Sequence, residues 1–218
     1  MIMKFSDETI AILKNFSDIN QSLLFTPGSE LKTISPQKTV MASATIIEII
    51  DTRAAVYDLS RFLSTLSLFN DNVDVKFTED RFEILDDRRK VAYVYAAENM
   101  IVTPPEKQMN VPSADVTVDL KWDDIQSAIR GAGVLQVSDI AFTGTEGKIM
   151  LRAVDSKNST SDTYDIEISD YDGADFDMTI KVDNLKLLPA DYTVSLSKAG
   201  ISHFKSTNAQ YWIAVQTK

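Results

Sequence analysis

The sequence predicts an α+β protein of two similar domains, each with two short helices packed on antiparallel sheets. Amphipathic helical segments recur at corresponding places, Ser6 to Ser17 and Asp58 to Ser67 in the first half, Trp122 to Arg130 and Val182 to Leu188 in the second. Between them lie short apolar runs divided by turn residues, the pattern of a strand meander. Periodicity stops once, from Ala96 to Ser113, where Thr103-Pro104-Pro105-Glu106-Lys107 and then Pro112 read as an extended connector. This gives domains at 1–98 and 114–218 with a connector at 99–113. Each flank is close to the ~100 residues that a self-sufficient core needs.

Ser6 is placed to cap the first helix, with Asp7 and Glu8 at the positive end of its dipole. Phe5 and Ile10 could staple that turn. Ile10, Leu13 and Phe16 share one face, and Lys14 flanks it. Strands are expected at Leu23 to Phe25, Leu31 to Ile34, Thr39 to Ala44, Ile46 to Ile50 and Ala54 to Tyr57, with a turn at Thr26-Pro27-Gly28-Ser29. Asp58 caps a second helix with Leu59, Phe62, Leu63 and Leu66 inward and Ser60, Arg61, Ser64 and Thr65 outward. Val73 to Phe77, Arg81 to Leu85 and Val91 to Tyr95 then form a meander.

The second half opens with strand Val116 to Leu120. A helix follows with Trp122, Ile125 and Ile129 inward, Gln126, Ser127 and Arg130 outward, and Gly131 as its expected stop. Strands are expected at Gln136 to Thr143, Lys148 to Val154, Asp165 to Ser169 and Phe176 to Val182. Asp183 is read as the cap of a short helix that ends before Pro189, with Leu185 and Leu188 inward and Lys186 outward. Tyr192 to Ser197, Ser202 to Lys205 and Tyr211 to Gln216 complete the strands.

There is no cysteine, which removes disulfides, thiolate metal sites and cysteine nucleophiles. Met1 to Phe5 is too short for a cleavable leader, and no apolar run approaches the ~18 residues of a membrane span. A soluble chain with no membrane partner is expected. His203 is the one histidine and has no neighbouring Ser, Cys or His with which to build a triad or a metal site. Gly131-Ala132-Gly133 lacks the spacing and the Lys of a phosphate loop. Asp170-Tyr171-Asp172-Gly173 lacks the further ligands and flanking helices of a calcium loop and reads as an acidic hairpin turn. No catalytic residue, metal or cofactor is expected.

The net charge of −10 argues against nucleic-acid binding unless positive charge is concentrated locally. Lys14, Arg61, Arg130 and Lys186 each stand on or beside the outward face of an expected helix, and acids are expected to be scarce there apart from Asp123. A shared, weakly basic surface on the helices is one reading. Ordinary solvated helix faces are the other.

Several stretches resemble the DNA polymerase processivity clamps of T-even-type bacteriophages. They are Leu13-Lys14-Asn15-Phe16 with Ile19-Asn20, Val56-Tyr57-Asp58-Leu59 with Phe62-Leu63 and Leu66-Ser67-Leu68, Asp170-Tyr171-Asp172-Gly173, and Asn184-Leu185-Lys186 before Pro189. Their order and spacing agree as far as Ala209-Gln210-Tyr211. No one motif is specific; collinearity over nearly the whole chain carries the resemblance.

The resemblance implies the DNA-clamp fold, closed by three identical chains into a ring whose helices line a hole for double-stranded DNA read without sequence preference. It implies Lys14, Arg61, Arg130 and Lys186 as DNA-facing residues, with Lys4, Lys121 and Lys181 as lesser candidates. Gly131-Ala132-Gly133 stands where a further basic residue would fit, so the second domain's lining is expected to be less positive. The resemblance also implies a hydrophobic pocket for a partner tail, walled by Ile101, Val102, Trp212, Ile213 and Val215. Ring joints are implied between edge strands through Val91, Tyr93 and Tyr95 on one and Tyr164, Ile166 and Ile168 on the other. The implied partners are a replicative DNA polymerase, an ATP-driven clamp loader and late-transcription factors, in the cytoplasm of an infected bacterium. A non-ring interaction module is the alternative, and an enzyme ranks last, because no nucleophile, base and orienting group can be assembled.

Overall fold

A computed structural model describes residues 2–69, 73–105 and 113–217. The chain divides into two compact units, Met1–Lys107 and Gln108–Lys218.

In unit 1, β1 (Ile2–Met3) leads into α1 (Asp7–Ile19). The Ser6 hydroxyl accepts from Thr9 N at 3.2 Å, the expected cap. The Glu48 carboxylate also reaches this turn, accepting from Ser6 N and Thr9 Oγ1, both at 2.5 Å. The buried stripe is Thr9, Ile12, Leu13, Phe16 and Ile19, with Ile10 only half-buried. β2 (Leu23–Phe25) pairs with β5 (Ala54–Val56), and β3 (Gly28–Ile34) with β4 (Val40–Ile50). β4 is one strand where two were expected, and the β3–β4 register shifts between Gly28 and Glu30.

α2 (Leu59–Leu66) is capped by Asp58, which accepts from Arg61 N at 2.8 Å. The α2 stripe of Leu59, Phe62 and Leu66 is buried, and α1 and α2 pack on each other. A four-stranded antiparallel sheet has the order β1-β6-β7-β8, with β6 Asp74–Phe77, β7 Arg81–Leu85 and β8 Lys90–Val94. Its core is aromatic: Phe62 lies 4.8 Å from Phe82 and 5.4 Å from Tyr93, and Phe25 lies 5.7 Å from Phe77. Such contacts add directional packing energy to plain burial.

In unit 2, β9 (Val116–Leu120) precedes α3 (Trp122–Leu135). The sequence pattern puts the stop of α3 at Gly131. Instead the helix runs on to Leu135, buries Ala132 and ends at Gln136, whose φ of 56° supplies the left-handed residue. Gly131 serves close packing instead, since a Cβ there would run into Cδ1 of Tyr164.

β10 (Asp139–Thr145), β11 (Lys148–Val154), β12 (Tyr164–Asp170), β13 (Phe176–Lys181) and the short β17 (Gln216–Thr217) form a sheet ordered β12-β11-β10-β13-β17, on which α3 packs. β14 (Tyr192–Ser197), β15 (Ile201–Lys205) and β16 (Ala209–Ala214) run antiparallel with β9 beside β14. The expected helix at Val182 to Leu188 is a 3₁₀ turn, Val182–Asn184, with no side-chain cap from Asp183. The reason is steric: Pro189 disfavours helical backbone before it, and Leu185 and Leu187 bury on either side of exposed Lys186 in an extended alternation. The described chain therefore carries three α-helices where four were expected.

Candidate nucleic-acid interface

Lys14 is exposed on α1, but Asp7, Glu8, Ala11 and Asp18 are exposed on the same helix. The expected scarcity of acids fails here, because the residues that suit the helix N-terminus, Asp7 and Glu8, share its solvent side. α2 is different. Ser60, Arg61, Ser64 and Ser67 are exposed, and Arg61 is the single basic residue of the helix. The Asp58 cap holds its amide and Thr65 Oγ1 donates to its carbonyl at 2.8 Å, so its backbone is fixed while its guanidinium points to water.

In unit 2 two of the implied cations, Lys121 and Lys181, are anchored by acids. Lys121 is exposed yet bonds Asp191 at 2.8 Å, and Asp191 also accepts from Trp122 N at 2.9 Å, replacing the missing N-cap side chain of α3. That carboxylate pushes the Lys121 ammonium up from its ordinary value. Lys181 reaches Asp139 at 2.5 Å, and Asp139 has no exposed surface. Burial would raise the Asp139 carboxyl, but hydrogen bonds from Lys181 and Ser156 outweigh it and hold the group below the ordinary carboxylate value. Lys4 lies 3.9 Å from Asp74 in unit 1.

Lys186 is exposed on the segment after the 3₁₀ turn. Two buried tyrosines bracket that segment: Tyr211 Oη accepts from Leu188 N at 3.1 Å, and Tyr192 Oη donates to Leu188 O at 2.7 Å. Burial pushes the Tyr211 phenol up to about 12 and raises Tyr192 as well, so both stay protonated and keep the bracket closed. Arg130 is exposed on α3, one residue before the glycine that seats Tyr164.

These are single cations spread over helix faces and one turn. Such a set attracts phosphate, a contact that carries no sequence information. Among the described residues no cluster of His, Cys, Asp or Glu suits a metal ion, and no helix is long and apolar enough to cross a membrane.

Comparison with known proteins gives this arrangement its context. Residues 6–103 match the family described as DNA polymerase processivity factor, and residues 117–217 match gp45 sliding clamp, C terminal. The sliding clamp of Escherichia phage RB69 is 35% identical over 221 residues, 98% of this chain and 97% of that one. The sliding clamp of Enterobacteria phage T4 is 34% identical with the same coverage. The chain belongs to the phage sliding-clamp family.

Among solved structures, PCNA from Thermococcus kodakaraensis has a TM-score of 0.73 at 15% identity, with 99% of each chain covered. The Helicobacter pylori beta clamp bound to a DNA ligase peptide has a TM-score of 0.72 at 13% identity, covering 100% of this chain and 66% of that one. At these identities the likeness shows the clamp fold.

Both strands expected at the clamp's joints, β8 and β12, occupy sheet edges. Val91, Tyr93 and Tyr95 are half-buried, and the tyrosines turn into their own unit: Tyr93 Oη donates to Asp58 O at 2.9 Å and Tyr95 Oη to Thr78 O at 3.2 Å. The outward side of β8 is Lys90, Ala92 and Val94. On β12, Ile166 and Ile168 are half-buried and Tyr164 is 41% exposed over Gly131.

The five expected pocket residues differ in access. Val102 is 41% exposed, its carbonyl accepting from Asn20 Nδ2 at 3.0 Å, and Ile101 is half-buried. Trp212 is buried and stacks on His203 at 5.0 Å. Val215 is buried too. Ile213 has no exposed surface.

Proposed function

We propose that three copies of this chain close head to tail into a ring around duplex DNA and tether the replicative polymerase, in the cytoplasm of the infected bacterium. The observation that carries the reading is full-length similarity to phage sliding clamps. The edge positions of β8 and β12, one in each unit, support it, because a closed ring of identical chains joined head to tail needs two different surfaces on each chain. An ATP-driven loader opens the ring, and late-transcription factors use the same platform. The chain itself performs no covalent chemistry. Short hydrophobic partner segments engage Val102, the exposed member of the expected pocket.

The cations on these faces are few and the net charge is −10. Electrostatic attraction is therefore weak, and encirclement keeps the chain on DNA. Lys14, Arg61, Arg130 and Lys186 are the main contacts, with Lys4, Lys121 and Lys181, which lie beside acids, as lesser ones.

Sedimentation at micromolar concentration tests the ring: a three-chain species is expected, and a strictly monomeric chain sinks it. Loaded protein is retained on circular DNA and lost when the circle is cut. The double substitution Arg61→Glu with Lys186→Glu shortens polymerase runs and lowers the slope of log affinity against log salt by up to about 2, since each phosphate contact contributes roughly 0.9. Unchanged run length in that variant favours a non-ring interaction module.

A further inference from the structure

α1 ends at Ile19, and the residue after it does more than close the helix. Asn20 has 5% of its surface exposed, and its backbone N–H donates to Phe16 O at 2.9 Å. Its side-chain amide is engaged at both ends. Oδ1 accepts from Ser22 N at 3.0 Å and from Ser22 Oγ at 3.2 Å, while Nδ2 donates to Val102 O at 3.0 Å. These partners fix which end of the amide is which, since a flipped group would set N–H against N–H and oxygen against oxygen.

The Nδ2 contact joins segments 82 positions apart, the end of the helix that carries Lys14 and the stretch of connector that carries Val102. As far as Ile101 the connector is held by other bonds. Ala96 N donates to Ala55 O at 2.9 Å, Arg53 pairs with Glu98 through bonds of 2.7 and 2.8 Å, and Glu98–Met100 forms a 3₁₀ turn. Residues 101–105 belong to no helix or strand, so no ladder sets their position. Pro104 and Pro105 have no N–H with which to join one. At Val102 the carbonyl is turned onto a buried amide while the residue stays 41% exposed. Breaking that bond strands a donor in a dry site, which makes it a stronger constraint than the same bond at the surface.

We propose that Asn20 is a positioning residue for partner engagement: it fixes the connector at Val102, so that the apolar surface offered there is set before a partner arrives. Binding is then spared the cost of ordering that stretch. The residue type suits the task. A carboxylate in this place would keep both bonds from Ser22 but set an oxygen against the Val102 carbonyl. An apolar side chain of the same size would leave Ser22 N and Val102 O without these partners. Asn20 acts on a partner only through Val102, and the inference rests on the reading that Val102 engages partner segments.

Asn20→Asp tests the proposal above about pH 7, where the introduced carboxyl is ionised, because it removes the bond to Val102 and spares those from Ser22. Ser22→Ala is the structural control. It removes one bond to the same amide and leaves the connector contact in place. Hydrogen exchange at Met100 and Ile101, whose amides close the turn before Val102, is expected to rise at least about fivefold in Asn20→Asp, the worth of one hydrogen bond, and to stay level in Ser22→Ala. Runs of the replicative polymerase are expected to shorten about fivefold in Asn20→Asp alone, with the three-chain species and its retention on circular DNA unchanged. Unchanged exchange in Asn20→Asp, runs shortened as much by Ser22→Ala, or loss of the three-chain species in Asn20→Asp would each overturn the proposal. Val102→Glu separates it from the reading beneath it. If that substitution leaves the runs intact, Val102 engages no partner and both fall; if it shortens them and Asn20→Asp does not, the positioning role falls alone.

Discussion

Some of the cations implied for DNA are held by different means in the two units. In unit 1, Arg61 stands on a capped helix over an aromatic core, and no acid pairs with it among the described residues. In unit 2, Lys121 and Lys181 are gripped by Asp191 and Asp139, and Lys186 rides on a turn bracketed by tyrosine hydroxyls. The difference follows from the lost helix. Where unit 1 has α2 to bury an apolar stripe, unit 2 has a 3₁₀ turn too short to bury one, so polar bonds to the rest of the unit fix the segment. Apolar packing should therefore dominate the energetics of unit 1, and named polar bonds should matter more in unit 2.

The largest effect expected from that contrast is in unit 1. Phe62 is fully buried and meets Phe5, Phe25, Phe82 and Tyr93. Phe62→Ala removes an aromatic ring from a packed core and costs about 3–5 kcal/mol. Denaturant unfolding followed by circular dichroism measures it, and a loss under about 1 kcal/mol would show that aromatic packing does not hold α2.

In unit 2 the corresponding experiment is Asp139→Ala. Removing one partner of a buried pair costs about 3–5 kcal/mol when the remaining charge stays dry. The Lys181 side chain is 35% exposed and can return to water, so about 2 kcal/mol is expected. The pH dependence identifies the carboxylate. Its pKa is lower folded than unfolded, so its contribution is complete above the unfolded value of about 3.9 and is lost as pH falls through the lower folded value. The stability gap between the chain and the variant should stay level from about pH 5 to 8 and shrink below about pH 4. A gap that persists in acid would assign the effect to packing.

Much of unit 1 was legible because its signals are local. Ser6 and Asp58 cap helices three residues ahead, and the i, i+3, i+4 stripe of α2 lies within eight residues. Unit 2 depends on long-range partners that no local pattern announces. Asp139 and Lys181 are 42 positions apart and meet because β10 and β13 pair in that register. Asp191, 69 positions from Trp122, caps α3 from outside the helix. Gly131 looked like a stop because a helix-breaking residue also serves for close approach, and only Tyr164 in place above it tells the two apart. The contact of Asn20 with Val102 was equally hidden, because the two stand 82 positions apart in the first half.

A smaller effect probes the bracket. Tyr192→Phe removes one hydroxyl and leaves the Leu188 carbonyl without that donor, which costs about 1 kcal/mol. Hydrogen exchange should rise at Leu188, whose amide is still held by Tyr211, before the rest of unit 2 responds. If protection there is unchanged, the buried leucines and not the tyrosines fix the segment that carries Lys186.

The smallest effect on stability should carry the clearest functional sign. Asp191→Asn keeps an acceptor for Trp122 N and removes only the charge that binds Lys121. The group is exposed, so the unfolding midpoint should hardly move. Lys121 is then released as a cation at the start of α3. If α3 faces DNA, phosphate attraction grows, and the slope of log affinity against log salt steepens by up to about 0.9. The acid-gripped lysines of unit 2 would then be held back from DNA by their own partners, which loosens the contact in a ring that has to slide. An unchanged slope would mean that Lys121 does not face the duplex, and would leave Arg130 as the DNA contact of α3.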